Sequence, residues 1–157
     1  MLANLLTNHH DIAQQVHFES GLMNSLLEGL RAILAWKTQG DDYTRKLSTL
    51  AFVSKSLRRH LERLMNLEET DGYMDVVLET KPNLSKVVDQ LRQEHDRFRH
   101  ATKRFVRRFE QMSSTDRDTF DRTCEELADF LFRLERHSRR EAKLIQETFE
   151  QEEGGEG

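Results

Sequence analysis

Four long stretches of this chain place apolar residues at three- and four-residue steps, and short Gly-, Pro-, Asn- or Asp-containing punctuations separate them. Side chains at i, i+3 and i+4 share one face of an α-helix, so the pattern dictates amphipathic helices. The first stretch carries Val16, Met23, Leu26, Leu27, Leu30, Ile33 and Leu34 and predicts a helix from about Asp11 to Thr38. Gln39-Gly40-Asp41 should end it, with Gly40 just past its C-terminus, and Asp41 or Asp42 should cap the next. The second helix bears Leu47, Leu50, Val53, Leu57, His60, Leu64 and Leu67 and breaks at Asp71-Gly72. Tyr73 to Thr80 reads as a helical turn or two across one end of the bundle. Lys81-Pro82-Asn83 punctuates again, with Asn83 as the expected N-cap. The third helix carries Leu84, Val87, Val88, Leu91, His95, Phe98, Phe105 and Phe109. Thr115-Asp116-Arg117-Asp118 has the form of a capping box for the fourth. That helix bears Phe120, Cys124, Leu127, Leu131, Leu134, His137, Glu141, Leu144 and Ile145. Short connections between long helices imply an all-α, antiparallel, up-down-up-down four-helix bundle.

Composition narrows the class. One Pro, seven Gly and a charged fraction of 33% argue for a soluble helical bundle rather than a β-rich or disordered chain. A net charge of −4 gives no general attraction to nucleic acid. No stretch is long and apolar enough to span a bilayer, so no membrane partner is expected. The N-terminal Leu2, Leu5 and Leu6 lack the basic flank of a signal peptide. Cys124 is the single cysteine, which excludes an internal disulfide and suits a reducing cytoplasm. The expected organisation is a flexible N-terminus at 1–12, the bundle at 13–150 and a disordered acidic tail at 151–157.

Within the helices a phrase repeats. Leu57-Arg58-Arg59-His60 returns as Leu134-Glu135-Arg136-His137, and Glu94-His95, followed by Phe98, echoes Glu19-Ser20, followed by Met23. The chain therefore reads as two related halves. His60, His95 and His137 each sit on an apolar stripe and are expected to face one interior. His137 and Glu141 form His-x-x-x-Glu, which puts both side chains on one helix face a turn apart. Imidazole with carboxylate suits iron, manganese or zinc. Taken singly, a histidine on an apolar stripe is more often a hydrogen-bonded core residue than a ligand. A core-facing carboxylate such as Glu141 is harder to place without a partner.

At these residues the chain resembles the hemerythrin-like (HHE cation-binding) family, from about Val16 to Phe149. The resemblance implies a four-helix bundle holding a non-haem di-iron centre. Its pattern is Glu-His on the first helix, His-x-x-x-Glu on the second, Glu-His on the third and His-x-x-x-Glu on the fourth. Glu94-His95, His137 and Glu141 match it, as does His60. Leu64 stands four residues after His60 where the pattern has Glu, and Ser20 stands where it has His. His17, one turn before Ser20, is a candidate substitute. Glu68 lies two turns past His60, about 12 Å along the axis, and is expected to be too far to bridge the same ion. The implied ligand set is His95, His137 and Glu141, with His60 as a fourth ligand or a group behind them. It would hold one non-haem iron at most, with zinc or manganese as alternatives.

The expected function is cytoplasmic metal binding with O2, redox or iron sensing or handling. The alternative is a metal-free bundle serving as a protein-interaction or regulatory module. Oxidase or peroxide-handling activity would need the paired metals that Leu64 and Ser20 disfavour, so the chain is not expected to be an enzyme. No Glu-x-x-His pair precedes a core histidine, unlike ferritin-like carboxylate centres. The third helix is basic through Arg97, Arg99, Lys103, Arg104, Arg107 and Arg108. That reads as a solvated face over a Phe stripe, not as a nucleic-acid surface.

Overall fold

The structure is a computed structural model that describes residues 2–38, 43–113 and 115–150, with side chains from Asp11 to Phe149. Its elements are α1 (Leu2–Leu34), α2 (Tyr43–Glu69), α3 (Tyr73–Thr80), α4 (Ser85–Gln111) and α5 (Arg117–Ile145). A 3₁₀ turn at Pro82–Leu84 leads into α4, and one π-helical turn at Gln146–Glu150 continues α5. The all-α bundle expected from the periodicity is what the chain forms.

The four long helices close into a ring in which α1 touches α2 and α5, and α4 touches α2 and α5. Cross-helix pairs run in opposite order along neighbouring helices. Between α2 and α4, Lys55 pairs with Glu110 and Glu69 with Arg99. Between α4 and α5, Arg108 pairs with Glu126 and Glu94 with Arg140. The short α3 crosses one end, burying Tyr73, Met74 and Val77.

Helix ends differ from the sequence expectation in instructive ways. α1 starts at Leu2, ahead of Asp11, and stops at Leu34, short of Thr38. Its terminal carbonyls are taken by a charge from the next helix: Lys46 Nζ donates to Leu34 O at 2.8 Å and Trp36 O at 2.9 Å. A cation on these orphan acceptors also complements the helix dipole. Gly40, Asp41 and Asp42 lie outside the described residues, as does the tail at 151–157. Asn83 does not cap α4, because it is taken into the 3₁₀ turn and Leu84 occupies the cap position. The α5 cap sits one residue later than Thr115: Asp116 Oδ1 accepts from Thr119 N at 3.3 Å. Thr115 instead pairs with the Ser113 hydroxyl at 2.9 Å.

The break at Asp71-Gly72 is tightly determined. Asp71 adopts a left-handed φ of 53°, and its N–H donates to Asp75 Oδ2 at 2.9 Å. A Cβ on Gly72 would collide with the backbone of Leu67 and Glu68, so only glycine fits there. This turn directs Tyr73 into the bundle beside Glu68.

The apolar core is divided in two. A large cluster includes Leu27, Leu50, Leu57, Phe109, Phe120 and Phe130, and extends to Leu61, Met65, Phe98 and Leu134. A smaller one, under α3, holds Tyr73, Met74, Val77, Val88, Leu91 and Leu144. Buried polar residues fall between the clusters: Glu19 on α1, Glu68 on α2, His95 on α4, and His137 and Glu141 on α5. Cys124, partly buried against the large cluster, has its thiol pushed up to about 11 by burial, so it is a poor nucleophile. No helix among the described residues is long and apolar enough to cross a membrane.

Candidate metal centre

A buried polar layer is costly unless its groups satisfy one another or hold a ligand. Here the layer is organised around one point. His95, His137 and Glu141 each offer a ligand atom, and these atoms lie within 4.8 Å of one another. The imidazoles sit side by side with ring centroids 4.8 Å apart, and Phe98 meets the His137 ring edge-to-face. All three are buried.

Each imidazole is fixed by a carboxylate on its far nitrogen. His95 Nδ1 lies 2.8 Å from Glu69 Oε1, and His137 Nδ1 lies 2.5 Å from Glu94 Oε2. Each of those carboxylates is in turn held by an arginine, Arg99 on Glu69 and Arg140 on Glu94. A carboxylate on one ring nitrogen fixes the ring and turns the other nitrogen toward a metal, the usual support of a metal-binding histidine. The two Nε2 atoms therefore face inward. His95 Nε2 is 3.0 Å from Glu141 Oε1, and His137 Nε2 also contacts that oxygen.

Glu68 is the residue that sequence reasoning set aside. It is 2% exposed, and Oε2 lies 4.0 Å from His95 Nε2. Its carboxyl faces that of Glu141, and the buried Tyr73 hydroxyl is aimed at the same pair. Ser20, Leu64, Glu68, His95, His137 and Glu141 all line one small internal cavity of about 20 Å³. Glu68 lies about 12 Å along the axis from His60, but the centre is not at the level of His60. Aligning Leu61-Glu62-Arg63-Leu64 with Leu134-Glu135-Arg136-His137 puts Glu68 opposite Glu141. That alignment, one turn later than the one read from Leu57 to His60, was the available signal.

His60 does not join the group. It is half-buried between α1 and α2, with Nε2 3.7 Å from Glu19 Oε2, and it borders a groove with Leu22, Leu26, Arg59 and Arg63. The centre lies at the level of Glu68, two turns further along α2, which explains the separation. His17 is exposed and lines a cavity of about 460 Å³ between α1 and α5. Ser20 and Glu141 border the same cavity, so it reaches the centre from outside.

The donor set fits a single cation of the iron, manganese or zinc type: two imidazoles and two carboxylates. Two of its inward atoms, His137 Nε2 and Glu68 Oε2, are buried without a hydrogen bond of good geometry, as is the Tyr73 hydroxyl. Unsatisfied donors and acceptors aimed at one point are what a missing cation would leave.

Electrostatics show how the layer persists without metal. Burial, then the facing Glu141 charge, holds the Glu68 carboxyl well above its ordinary range. Burial would raise Glu141 too, but hydrogen bonding with Glu68, His137 and His95 outweighs it and holds that group far below. Burial opposes charge on His137, yet Glu141 and Glu94 outweigh it and raise its value. Glu68 therefore keeps a proton that Glu141 has given up.

Raised groups such as Glu68 and His137 contribute stability that is complete below their ordinary values and is lost as pH rises through the raised ones. Glu141 works in the other direction, contributing above the ordinary carboxylate range and failing only in acid. The metal-free protein should therefore lose stability as pH rises above the ordinary imidazole value of 6.5. A falling urea midpoint over that window is the expected result. A midpoint that rises would mean that Glu68 is already ionised at the acid end.

A family model for the hemerythrin HHE cation-binding domain matches residues 2–149. Comparison with curated proteins and with solved structures finds no match. The match spans α1 to α5, including every residue that converges on the buried His–Glu layer. The helical ring, the paired imidazoles and the facing carboxylates thus have a common origin: the chain belongs to the hemerythrin HHE cation-binding domain family.

Proposed function

We propose that the protein binds one non-haem iron ion through His95, His137, Glu141 and Glu68 and uses it to sense or handle O2, redox state or iron in the cytoplasm. The observation that carries this reading is the double carboxylate–imidazole support. Glu69 and Glu94 each fix a histidine so that both Nε2 atoms meet Glu141 inside the bundle. A core histidine kept only for packing needs one hydrogen-bond partner, whereas these are oriented from behind and crowded in front. Zinc or manganese would suit the same donors, and iron is chosen from the resemblance to bundles that hold non-haem iron.

A bound iron ion would supply a redox-active centre that the protein side chains lack. The chain's own groups do the rest. Glu68 gives up its proton to become a ligand, so uptake of a cation releases protons and tightens as pH rises. Glu69 and Glu94 hold the ring orientation, and Arg99 and Arg140 hold those carboxylates in place. The cavity bordered by His17 and Ser20 admits small molecules toward Glu141. Phe98, Leu134 and Met65 give the small internal cavity an apolar wall.

Metal analysis of protein prepared without a polyhistidine tag tests the reading. After anaerobic loading with ferrous iron and dialysis, about one ion per chain is expected, with release of at least about one proton per ion. Retention of no metal under these conditions would overturn it and favour a metal-free interaction module. Two ions per chain would show that further donors, beyond these four, take part.

A further inference from the structure

Between α4 and α5, on the outer side of His137, lies a pocket of about 250 Å³ in which positive charge is concentrated. It is lined by Glu94, Arg97 and Phe98 from α4 and by Arg133, Arg136, His137 and Arg140 from α5. The α5 arginines fall at three- and four-residue steps, so one stripe of that helix delivers all three. Four guanidinium groups thus face one carboxylate. Glu94 is already committed, to Arg140 and to His137 Nδ1. Arg97 and Arg136 make no ion pair among the described residues, and Arg133 only lies over the Phe130 ring at 5.7 Å. Arg99 and Arg108 on the same helix as Arg97 are each matched to an acid. Guanidinium groups without acid partners, crowded around a concave site, favour binding of a multiply charged anion.

The neighbouring pocket decides what kind of anion. It shares Arg133 and is lined by Arg104 and Arg108, but also by Glu126 and Asp129. Arg108 is held there by Glu126 and by Thr123 Oγ1. An extended polyanion running along the α4–α5 groove would meet these carboxylates after the first few charges. A compact one would not. We propose that the pocket binds a compact, multiply charged oxyanion, a phosphate or diphosphate group, gripped by Arg97, Arg133 and Arg136 with Arg140 alongside. The guanidinium fork suits such oxygens because it donates two parallel hydrogen bonds. The pocket shares Glu94 and His137 with the wall of the metal centre, but its gripping groups, Arg97, Arg133 and Arg136, are not metal donors.

The test uses the full chain, stripped of metal and dialysed free of chelator, since chelators are themselves polyanions. Inorganic phosphate, pyrophosphate and a nucleoside triphosphate are titrated in turn, followed by calorimetry and by amide resonances of isotope-labelled protein. Saturable binding at one site is expected, tighter for pyrophosphate than for phosphate, with shifts centred on residues 94–98 and 133–140. The double variant Arg97→Gln with Arg136→Gln should weaken it at least about 10-fold without changing the unfolding midpoint, because both side chains are exposed. Arg104→Gln, outside the pocket, should change it less than about 2-fold. A triphosphate that binds at least as tightly as pyrophosphate identifies an organic phosphate as the ligand, and weaker binding identifies the free anion. Lack of saturable binding, or equal loss in the Arg104→Gln control, would overturn the proposal. So would an RNA oligomer that outcompetes pyrophosphate with shifts spread past Arg104 and Arg108.

Discussion

Glu68→Leu should make the metal-free protein more stable while destroying its affinity for metal. Glu68 sits 2% exposed between two apolar clusters, its Oε2 without a hydrogen bond and its carboxyl facing that of Glu141. Replacing a poorly satisfied buried ionisable group with a hydrophobic one of similar size often stabilises a fold, here by about 2 kcal/mol. The gain is limited because Glu141 loses one of its partners, although His95 and His137 remain. Affinity for ferrous or manganous ion should fall at least about 100-fold with loss of one carboxylate donor. Saturating metal at about 100 times Kd adds about 2.7 kcal/mol to the wild type and far less to the variant. The stability order of the two proteins should therefore invert when metal is added, read from urea unfolding with and without the ion. A variant that is less stable than wild type without metal, yet binds metal as well, would make Glu68 a structural residue and leave three donors.

How far the sequence anticipates the structure depends on which step of the helix carries the information. The helices were legible because apolar spacing is a local property, repeated many times along each stretch. Leu27, Leu50, Leu91 and Leu127 are all buried where their stripes place them. His95, His137 and Glu141 were legible for the same reason: each lies on its stripe, and the last two are one turn apart. Depth along the bundle was not legible. His60 shares the α2 stripe with Leu64, but a stripe says only which face is buried, not which level faces which residue on a neighbouring helix. Register between helices is set by the turns, and here by the Asp71-Gly72 corner, where only glycine fits against the Leu67 and Glu68 carbonyls. That corner places Glu68, not His60, at the level of His95. The supporting pairs Glu69–His95 and Glu94–His137 follow from that register and could not be read from one helix alone.

Two substitutions, Ser20→His with Leu64→His, should raise the capacity from one ion per chain to two. Aligned on Glu68 and Glu141, the halves match Glu19-Ser20 with Glu94-His95 and Leu64 with His137. Both carboxylates able to bridge two ions are thus already present, and what the α1–α2 half lacks is its two imidazoles. Ser20 and Leu64 line the same internal cavity as the existing donors, and Ser20 also borders the larger cavity of about 460 Å³, which leaves room for a ring. The halves differ in what stands behind each new side chain. Glu19, the counterpart of Glu94, is buried with no hydrogen bond on Oε2 and only the longer 3.7 Å contact to His60, so it can support an imidazole introduced at position 64. Ala142 occupies the counterpart of Glu69, so an imidazole at position 20 has no such support. Leu64→His alone should therefore recover more binding at the second position than Ser20→His alone. Without metal the double variant should be less stable than wild type by about 2 kcal/mol, because Leu64 leaves the large apolar cluster. With metal, binding to the folded state should offset that loss. Iron content per chain after anaerobic loading, compared across wild type, both single variants and the double, decides the matter. A double variant that folds but still holds one ion would show that the α1–α2 side of the cavity cannot open far enough for a second cation. In that case the asymmetry of this centre extends beyond its two missing histidines to the packing of the half that lost them.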